Sequence, residues 1–330
     1  MRTLGEPRDQ LVIVYPLPAA VSVDAEVMGA VVMTGVAKRD VGIHLPRLTD
    51  RPEPLLLQPQ VLDSLVTEAV YSDGPADHGP ASPWGFATAW GSRADGRDLA
   101  ISQIVFTFEV GTDDEDFGLL GEIRRAIPAW FSQVKDWVEV LTLQDLDYTA
   151  PRRRVYVEGQ GWQAWRRSQP ISVRGHVHLD FDRGTPLSSS DWQEVTALVK
   201  SEAQPPLTAT LLRDARAAMA RGQHRRAVVD ASTALEIALH QVLVARHELA
   251  PSELSGELIR RAERWTLGAL RETLGRLDGL PQLVTQEVVE LRNAVVHKTA
   301  KKPTALESAM VIAAAEAACQ AASPVWPRLA

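Results

Sequence analysis

Up to residue 205, short apolar runs alternate with turn-forming residues, which is the pattern of β-strands. Two longer stretches follow a helical period instead: residues 117–143, with a break or kink expected at Pro128, and residues 192–199. The run Ser188-Ser189-Ser190-Asp191 offers N-cap residues before the second stretch. Strands are predicted at residues 11–15, 28–33, 41–45, 99–110, 155–158 and 171–181. This part of the chain is therefore expected to be an α+β domain, whose exact fold the pattern leaves open.

After residue 205 the hydrophobic period becomes that of α-helices. Pro205 and Pro206 mark the change, because two successive prolines cannot continue a helix. Helices are predicted at residues 207–220, 223–247, 252–265 and 267–277, and the second of these has one stripe spaced for burial: Val228, Ala231, Leu235, Leu239 and Val242. Further helices are predicted over the apolar face Val284, Val288, Leu291 and Val295, and at residues 304–322, with Pro303 in the first turn. We therefore expect two domains, an α+β domain at 1–205 and an all-α bundle of about five helices at 206–330.

Composition narrows the class of protein. Of the 330 residues, 45% are hydrophobic and 23% are charged, which excludes wholesale disorder. The single cysteine, Cys319, excludes an internal disulfide and a cysteine-based zinc site, and is expected to be a small buried side chain. The apolar stretch 311–322 is short and contains Glu316, and no secretory pattern opens the chain. A cytoplasmic protein with no membrane association is predicted.

Charge is distributed unevenly between the two domains. The net charge of −7 argues against a generally basic nucleic-acid-binding surface. Residues up to Pro205 carry a net charge of −10, however, and the residues after it carry +3. The two parts of the chain therefore differ in the sign of their net charge.

The best candidate for chemistry lies near the end of one predicted helix. Gln286, Glu290, Asn293 and His297 share a stripe opposite the apolar face, and Arg292 lies one step round. Asn293 is the only asparagine in the chain. A guanidinium, an amide and an imidazole are thus expected to converge at one helix end.

These three groups suit cleavage of a phosphodiester without a metal. Arg292 could hold the phosphate, His297 could move a proton, and Asn293 could position either one. With the ribose 2′-hydroxyl as nucleophile, RNA would be cut to a cyclic phosphate and DNA would resist. The alternative is a solvated helix C-terminus, where Arg and His side chains interact with free carbonyl groups.

The segment Arg292-Asn293-x-x-x-His297, late in a helical domain, resembles the motif of HEPN domains, a superfamily that includes many prokaryotic toxin and defence ribonucleases. The upstream segment 222–236, with Glu236 after Ala234-Leu235, is similar to the long early helix of that family. The resemblance covers residues 207–322. It implies a homodimer whose Arg and His meet across a composite RNA-cleaving site, without a cofactor. Some members have lost cleavage and serve as assembly or nucleotide-binding modules.

Further residues are candidates for accessory roles. Glu236 lies on a stripe with Val229, Thr233 and His240, and the resemblance implies that it approaches the Arg/His pair; it could equally serve a surface arginine. Glu290 could pair with His297 or face solvent. Three lysines follow the motif: Lys298, Lys301 and Lys302. They could bind the RNA backbone, or they could form a solvated cluster at the helix end.

The first domain holds weaker signals. His176, His178, Asp180 and Asp182 share one face of a predicted strand, which could hold a metal ion or simply be an exposed polar face. A basic stretch between Arg152 and Arg183, with Trp162 and Trp165 interleaved, could stack on bases or could combine core tryptophans with a solvated face. The acidic run 113–116 suits a helix entry.

Two functions follow from these patterns. The first is a metal-independent endoribonuclease of HEPN type, in antiviral defence or a toxin-like stress response, whose N-terminal domain senses a ligand or regulatory protein or recruits substrate. The second is a non-catalytic HEPN module that dimerises and displays the N-terminal domain. A third possibility is an N-terminal enzyme with a helical appendage, which a metal bound by the His176–Asp182 face would favour.

Overall fold

The computed structural model describes residues 9–49, 56–62, 84–88, 98–110, 116–146, 155–157, 163–166, 169–172, 177–179, 185–249, 262, 265–297 and 301–323. The chain divides into two compact units, Met1–Gln204 and Pro205–Ala330. We call them the sheet unit and the helical unit. The boundary lies one residue before the position suggested by the two prolines.

Antiparallel strands dominate the sheet unit. In chain order its described strands are β1 (Asp9–Val23), β2 (Val31–Val36), β3 (Arg39–His44), β4 (Arg47–Leu48), β5 (Leu56–Leu57), β6 (Gly85–Thr88), β7 (Asp98–Val110), β8 (Val155–Val157), β9 (Gln163–Arg166), β10 (Gln169–Ser172) and β11 (Val177–Leu179). Seven of them form one sheet in the order β10-β9-β1-β7-β3-β2, with β6 also on β7. β4 pairs with β5, and β8 with β11.

The first strand is three times longer than the run that predicted it. The sequence pattern ended this strand at residue 15 because Pro16 and Pro18 follow. In the structure β1 continues to Val23, and its pairing with β7 shifts register between Pro16 and Val21. Proline has no N–H to donate to a ladder, so the irregularity lies where the prolines stand while the strand itself goes on.

Aromatic side chains join the sheet to the helix α1 (Asp116–Thr142). Phe106 of β7 packs edge-to-face on Trp130, with ring centroids 5.3 Å apart, and Tyr15 of β1 lies 5.9 Å from Phe131. All four side chains are buried. A second helix, α2 (Ser189–Lys200), adds Trp192, Val195 and Val199 to the same core.

Helix α1 runs through Pro128 without a break, so of the two alternatives, a break or a kink, the break is wrong. A proline in a helix removes one backbone hydrogen bond and leaves the carbonyl four residues earlier without a partner. Pro128 and Arg124, the residue with that carbonyl, are both exposed. Water can therefore satisfy the freed carbonyl, and the buried side of the helix is undisturbed.

Helices make up the described part of the second unit. They are α3 (Leu207–Ala220), α4 (His224–Leu249), α5 (Leu267–Arg276), α6 (Gln286–His297) and α7 (Ala305–Ala322). Between residues 205 and 323 the described residues form no strand. An antiparallel sheet followed by helices is thus the coarse fold. The predicted helix at 252–265 lies almost wholly outside the described residues.

The buried stripes of α4 and α6 are those predicted. Val228, Ala231, Leu235 and Leu239 of α4 are each fully buried, and Val288, Leu291 and Val295 of α6 pack in the same cluster. Cys319 of α7 lies there too, and burial raises the pKa of its thiol to about 12. The prediction that Cys319 acts as a small buried side chain is confirmed.

Both α2 and α7 begin with a capping box. Ser188 and Asp191 form the one at α2, within the run that was predicted to cap this helix. At α7 the N-cap is Thr304, paired with Glu307, so Pro303 precedes the cap and is not in the first turn as predicted. The cap explains the difference, because the Thr304 hydroxyl and the Glu307 carboxylate satisfy the N–H groups that a proline at the first position would only have removed.

Two helices, residues 224–248 of α4 and the whole of α7, are long and apolar enough to cross a membrane by length and composition alone. In the structure both contribute to the core of the helical unit. The same length and composition are found in core helices of globular proteins, so this is weak support for a membrane span.

Candidate active site

Helix α6 supports the three residues singled out by the sequence. Its apolar side is buried against the other helices, which leaves Asn293 and His297 exposed and Arg292 half-buried at the edge of the core. This division follows from the helical period, since Arg292 is one step round from buried Leu291. The fold thus presents the motif on the surface of the helical unit.

Arg292 is held by a carboxylate from another helix. Its Nη2 lies 2.8 Å from Oε1 of Glu236 on α4, and the two side chains are 22% and 28% exposed. Oε1 is shielded from solvent and receives no well-angled hydrogen bond from the described residues, so the contact is a charge pair more than a hydrogen bond. Glu236 thus contacts the arginine of the motif, and this ion pair agrees with both alternatives that the sequence left open.

The guanidinium also fixes the amide of Asn293. Nη1 of Arg292 donates to Oδ1 of Asn293 over 3.2 Å. Because a guanidinium can only donate, the amide oxygen must face it and the amide nitrogen must face away. Asn293 therefore offers two N–H donors to the surface beside Arg292, the arrangement that an anionic ligand requires.

His297 is not hydrogen-bonded to Arg292 or Asn293 in the described part of the chain. It is the last residue of α6 and is exposed, and no ion pair joins it to either of them among the described residues. Five residues along an α-helix correspond to a rotation of about 140°, so the two side chains leave α6 in different directions. A hydrogen bond thus joins the guanidinium to the amide, and His297 lies one helix turn after Asn293 on the same stripe; convergence of all three groups stays a prediction.

Glu290 does not pair with His297 in the described residues. It is exposed, and its Oε1 accepts a hydrogen bond from Nε2 of Gln286 over 3.1 Å. Gln286 in turn accepts one from Nη1 of Arg271 on α5. Of the two alternatives for Glu290, the structure shows the solvent-facing one.

The lysines after the motif differ in their surroundings. Lys298 lies outside the described residues. Nζ of Lys301 donates to Oε1 of Glu307 over 2.7 Å, and this bond together with the capping contact lowers the pKa of Glu307 from 4.5 to about 2. Lys302 is exposed. Lys302 is therefore better placed than Lys301 to meet a ligand.

His240 on α4 has a buried ring nitrogen that the sequence pattern did not indicate. It lies one helix turn after Glu236 on α4, and its Nε2 is shielded from solvent with no hydrogen-bond partner among the described residues. The stripe that contains both residues was visible in the sequence. The burial of this nitrogen could not be predicted from the stripe, because it depends on how the neighbouring helices pack.

Most of the metal-binding candidates of the sheet unit lie outside the described residues. His176, Asp180 and Asp182 lie outside the described residues, as do Arg152, Trp162 and Arg183 of the basic stretch. The described residues hold no group of three or more His, Cys, Asp or Glu placed to bind a metal ion.

Comparison of this chain with protein-family models, with curated proteins and with solved structures finds no match.

Proposed function

We propose that this protein is a HEPN-type, metal-independent endoribonuclease that acts in the cytoplasm as a homodimer. The observation that carries the proposal is the arrangement around Arg292, whose guanidinium is oriented by Glu236 and Asn293 at the surface of the helical unit. A preorganised guanidinium beside outward N–H donors suits a phosphate whose charge grows during reaction.

The reaction proceeds by internal transfer. The ribose 2′-oxygen attacks phosphorus and loses its proton, the bond from phosphorus to the 5′-oxygen breaks, and that oxygen gains a proton. The products are a 2′,3′-cyclic phosphate and a free 5′-hydroxyl. Arg292 stabilises the phosphate oxygens, and one or two copies of His297 carry the protons.

A homodimer reconciles this chemistry with the divergence of Arg292 and His297. In one protomer the two side chains leave α6 in different directions, so His297 of a second copy would face Arg292. Exposed Val296, with 39% of its surface accessible, lies beside His297 and would be covered by that copy. The sheet unit would then sense a ligand or protein, or recruit substrate, in antiviral defence or a toxin-like response.

The first experiment is incubation of the purified protein with total RNA, with and without a chelator. We expect cleavage that survives EDTA and leaves cyclic phosphate ends, and no cutting of DNA. Intact RNA in both reactions contradicts an unregulated nuclease, and cleavage abolished by EDTA redirects attention to His176, His178, Asp180 and Asp182.

The composite site has its own test, in which Arg292→Ala and His297→Ala proteins are mixed. If each site combines Arg of one chain with His of the other, mixed dimers contain one intact site, and roughly a quarter of the wild-type activity returns. If both residues act within one chain, mixing restores nothing. The two proteins measured separately are the controls.

The second candidate is a non-catalytic module of the same type that displays the sheet unit. It is favoured by the same ion pair, because Arg292 already has two acceptors without any substrate. This candidate predicts dimerisation without cleavage. Light scattering combined with the RNA assay separates the two, since both functions require a dimer but only one degrades RNA.

A further inference from the structure

Two polar side-chain atoms close together on α4 are shielded from solvent and have no hydrogen-bond partner among the described residues. They are Oε1 of Glu236 and Nε2 of His240. A buried polar atom without a hydrogen bond costs free energy, so a pair of them in one place requires a physical reason. Their chemistry is complementary, because a carboxylate oxygen accepts a hydrogen bond and an imidazole nitrogen that carries a proton donates one.

The helix places these two side chains within reach of each other. Glu236 and His240 are four residues apart in α4, which is continuous from His224 to Leu249. Residues at this spacing lie one above the other on the same face, with Cβ atoms about 5–6 Å apart. The carboxylate precedes the imidazole, which is the favourable order for such a pair on a helix. Rotation about side-chain bonds can therefore form the hydrogen bond without any movement of the backbone.

The carboxylate of Glu236 can hold Arg292 and accept from His240 at the same time. Its Oε1 lies 2.8 Å from Nη2 of Arg292 on α6, and Nη1 of the same guanidinium donates to Oδ1 of Asn293. A carboxylate oxygen has two lone pairs, so one of them stays open to a second donor. His240, half-buried one helix turn away, carries a shielded nitrogen that can supply this donor.

A phosphate bound to Arg292 would make this second donor necessary. The phosphate oxygens compete with Glu236 for the guanidinium, and the two anions repel each other across it. A carboxylate held only by Arg292 would then be displaced, and the orientation of the guanidinium would be lost. A hydrogen bond from His240 opposes that displacement, and it is strengthened because its acceptor is charged and both of its atoms are shielded from water.

We infer that His240 is a positioning residue for Arg292. When a phosphodiester binds the guanidinium, the Nε2–H group of His240 donates to Oε1 of Glu236 and keeps this carboxylate on Arg292. The neutral imidazole tautomer with its proton on Nε2 is sufficient, so no proton is taken up or released. His240 acts through Glu236 and does not touch the substrate. The inference rests on the proposed function, because it requires a phosphate at Arg292.

A spectroscopic test observes this hydrogen bond without requiring cleavage. The full-length wild-type protein is prepared with isotope-labelled histidine for nuclear magnetic resonance, and the His240 signals are assigned by their absence from the spectrum of His240→Gln. The probe is a short oligodeoxyuridylate, which has the phosphates of a nucleic-acid backbone but no 2′-hydroxyl, and its binding is confirmed by fluorescence anisotropy. We expect the probe to shift the Nε2 signal of His240 and to slow the exchange of its proton with water. In Arg292→Ala the signal should not respond.

A kinetic test separates positioning from packing. His240→Leu removes the donor, so kcat for RNA cleavage should fall by roughly tenfold while KM stays the same. His240→Gln can donate from its amide group and should recover most of kcat. His247→Leu is the matched control and should keep the wild-type kcat, because His247 also has a shielded ring nitrogen without a partner but lies roughly 16.5 Å beyond Glu236 along α4.

The results distinguish the role of His240 from the proposed function. A probe that does not bind, a His240 signal that ignores a bound probe, or equal losses of kcat in His240→Leu and His247→Leu overturn the inference. If the signal responds through Arg292 but the wild-type protein never cleaves RNA, the proposed nuclease fails and the role of His240 at a phosphate site stands. If the wild type cleaves RNA and the signal does not respond, the reverse holds. The spectroscopic result comes from the wild-type protein, so it decides even where His240→Leu does not fold.

Discussion

At the scale of residues, Arg292 and His297 occupy different environments, and this changes what their replacement should do. Arg292 covers a carboxylate oxygen that solvent does not reach, whereas His297 is exposed. The sequence pattern alone predicts that either replacement costs little stability, because both residues lie off the apolar face of α6. The exposure of His297 agrees with a small loss of stability, whereas the ion pair of Arg292 with Glu236 indicates a larger loss when Arg292 is replaced.

We predict that Arg292→Ala and His297→Ala each lower RNA cleavage by roughly two or more orders of magnitude, through loss of charge stabilisation and of proton transfer. His297→Ala should leave the unfolding free energy nearly unchanged. Arg292→Ala should lower it by about 1–3 kcal/mol, because Glu236 Oε1 then stays buried without a partner. Cleavage kinetics and denaturant unfolding measure the two effects. Full cleavage by folded His297→Ala protein contradicts the assigned role.

Glu236 is expected to act as a positioning residue for Arg292. Glu236→Gln removes the charge that orients the guanidinium, so kcat should fall by about tenfold or more while KM stays the same or decreases. Glu236→Asp keeps the charge and should restore part of kcat. A surface ion pair without this role would give wild-type kcat in both variants, with a stability change of at most about 1 kcal/mol.

At the scale of elements, the capping box of α7 fixes the start of that helix and involves the carboxylate that binds Lys301. The Thr304 hydroxyl accepts from the Glu307 backbone N–H over 3.1 Å, and Oε2 of Glu307 accepts from the Thr304 N–H over 2.7 Å. Thr304→Ala should lower the unfolding free energy by about 1 kcal/mol. Denaturant unfolding followed by far-ultraviolet circular dichroism measures it, and Thr210→Ala, outside any cap, is the control.

The same cap predicts a dependence on pH. The pKa of Glu307 is lowered from 4.5 to about 2, so the folded state binds fewer protons there than the unfolded chain. Its stabilisation is therefore complete above pH 4.5 and is lost as the pH falls toward 2. The stability difference between wild type and Glu307→Gln should shrink over that window. A difference that grows on acidification has the wrong sign for this contact.

Local patterns predicted the helices well and the long strand poorly. The stripe of α4 and the ends of α3 could be read from the sequence because helical hydrogen bonds and caps involve neighbours a few residues apart. The extent of β1 could not, since partners such as Val21 and Ile101 are far apart in sequence. Similarly, Glu236 and Arg292 were each noticed, but only the packing of α4 on α6 shows that they touch.

At the scale of the whole molecule, the buried apolar side chains that the structure describes form two separate clusters. The sheet unit supplies every member of one, and the helical unit supplies every member of the other. Seven of the nine tryptophans belong to the sheet unit, so their fluorescence reports mainly on that unit.

We predict that Leu235→Ala destabilises the helical unit by about 2–5 kcal/mol, because this fully buried side chain would leave a cavity. The helical transition followed by circular dichroism should move to lower denaturant concentration, while the tryptophan transition keeps its midpoint. Val138→Ala in α1 is the matched control and should shift the tryptophan transition instead. Equal shifts of both signals in both variants would mean that the two cores unfold as one.

Separate cores also bear on how such a chain can change over generations. A substitution that reshapes a core side chain of the sheet unit has to be compensated within that unit, since the cluster of helices contains none of its residues. Recombination between α2 and α3 can therefore join the helices to an unrelated first unit without opening a cavity in them. The ion pair of Arg292 with Glu236 can be inherited intact while the unit that precedes the helices diverges.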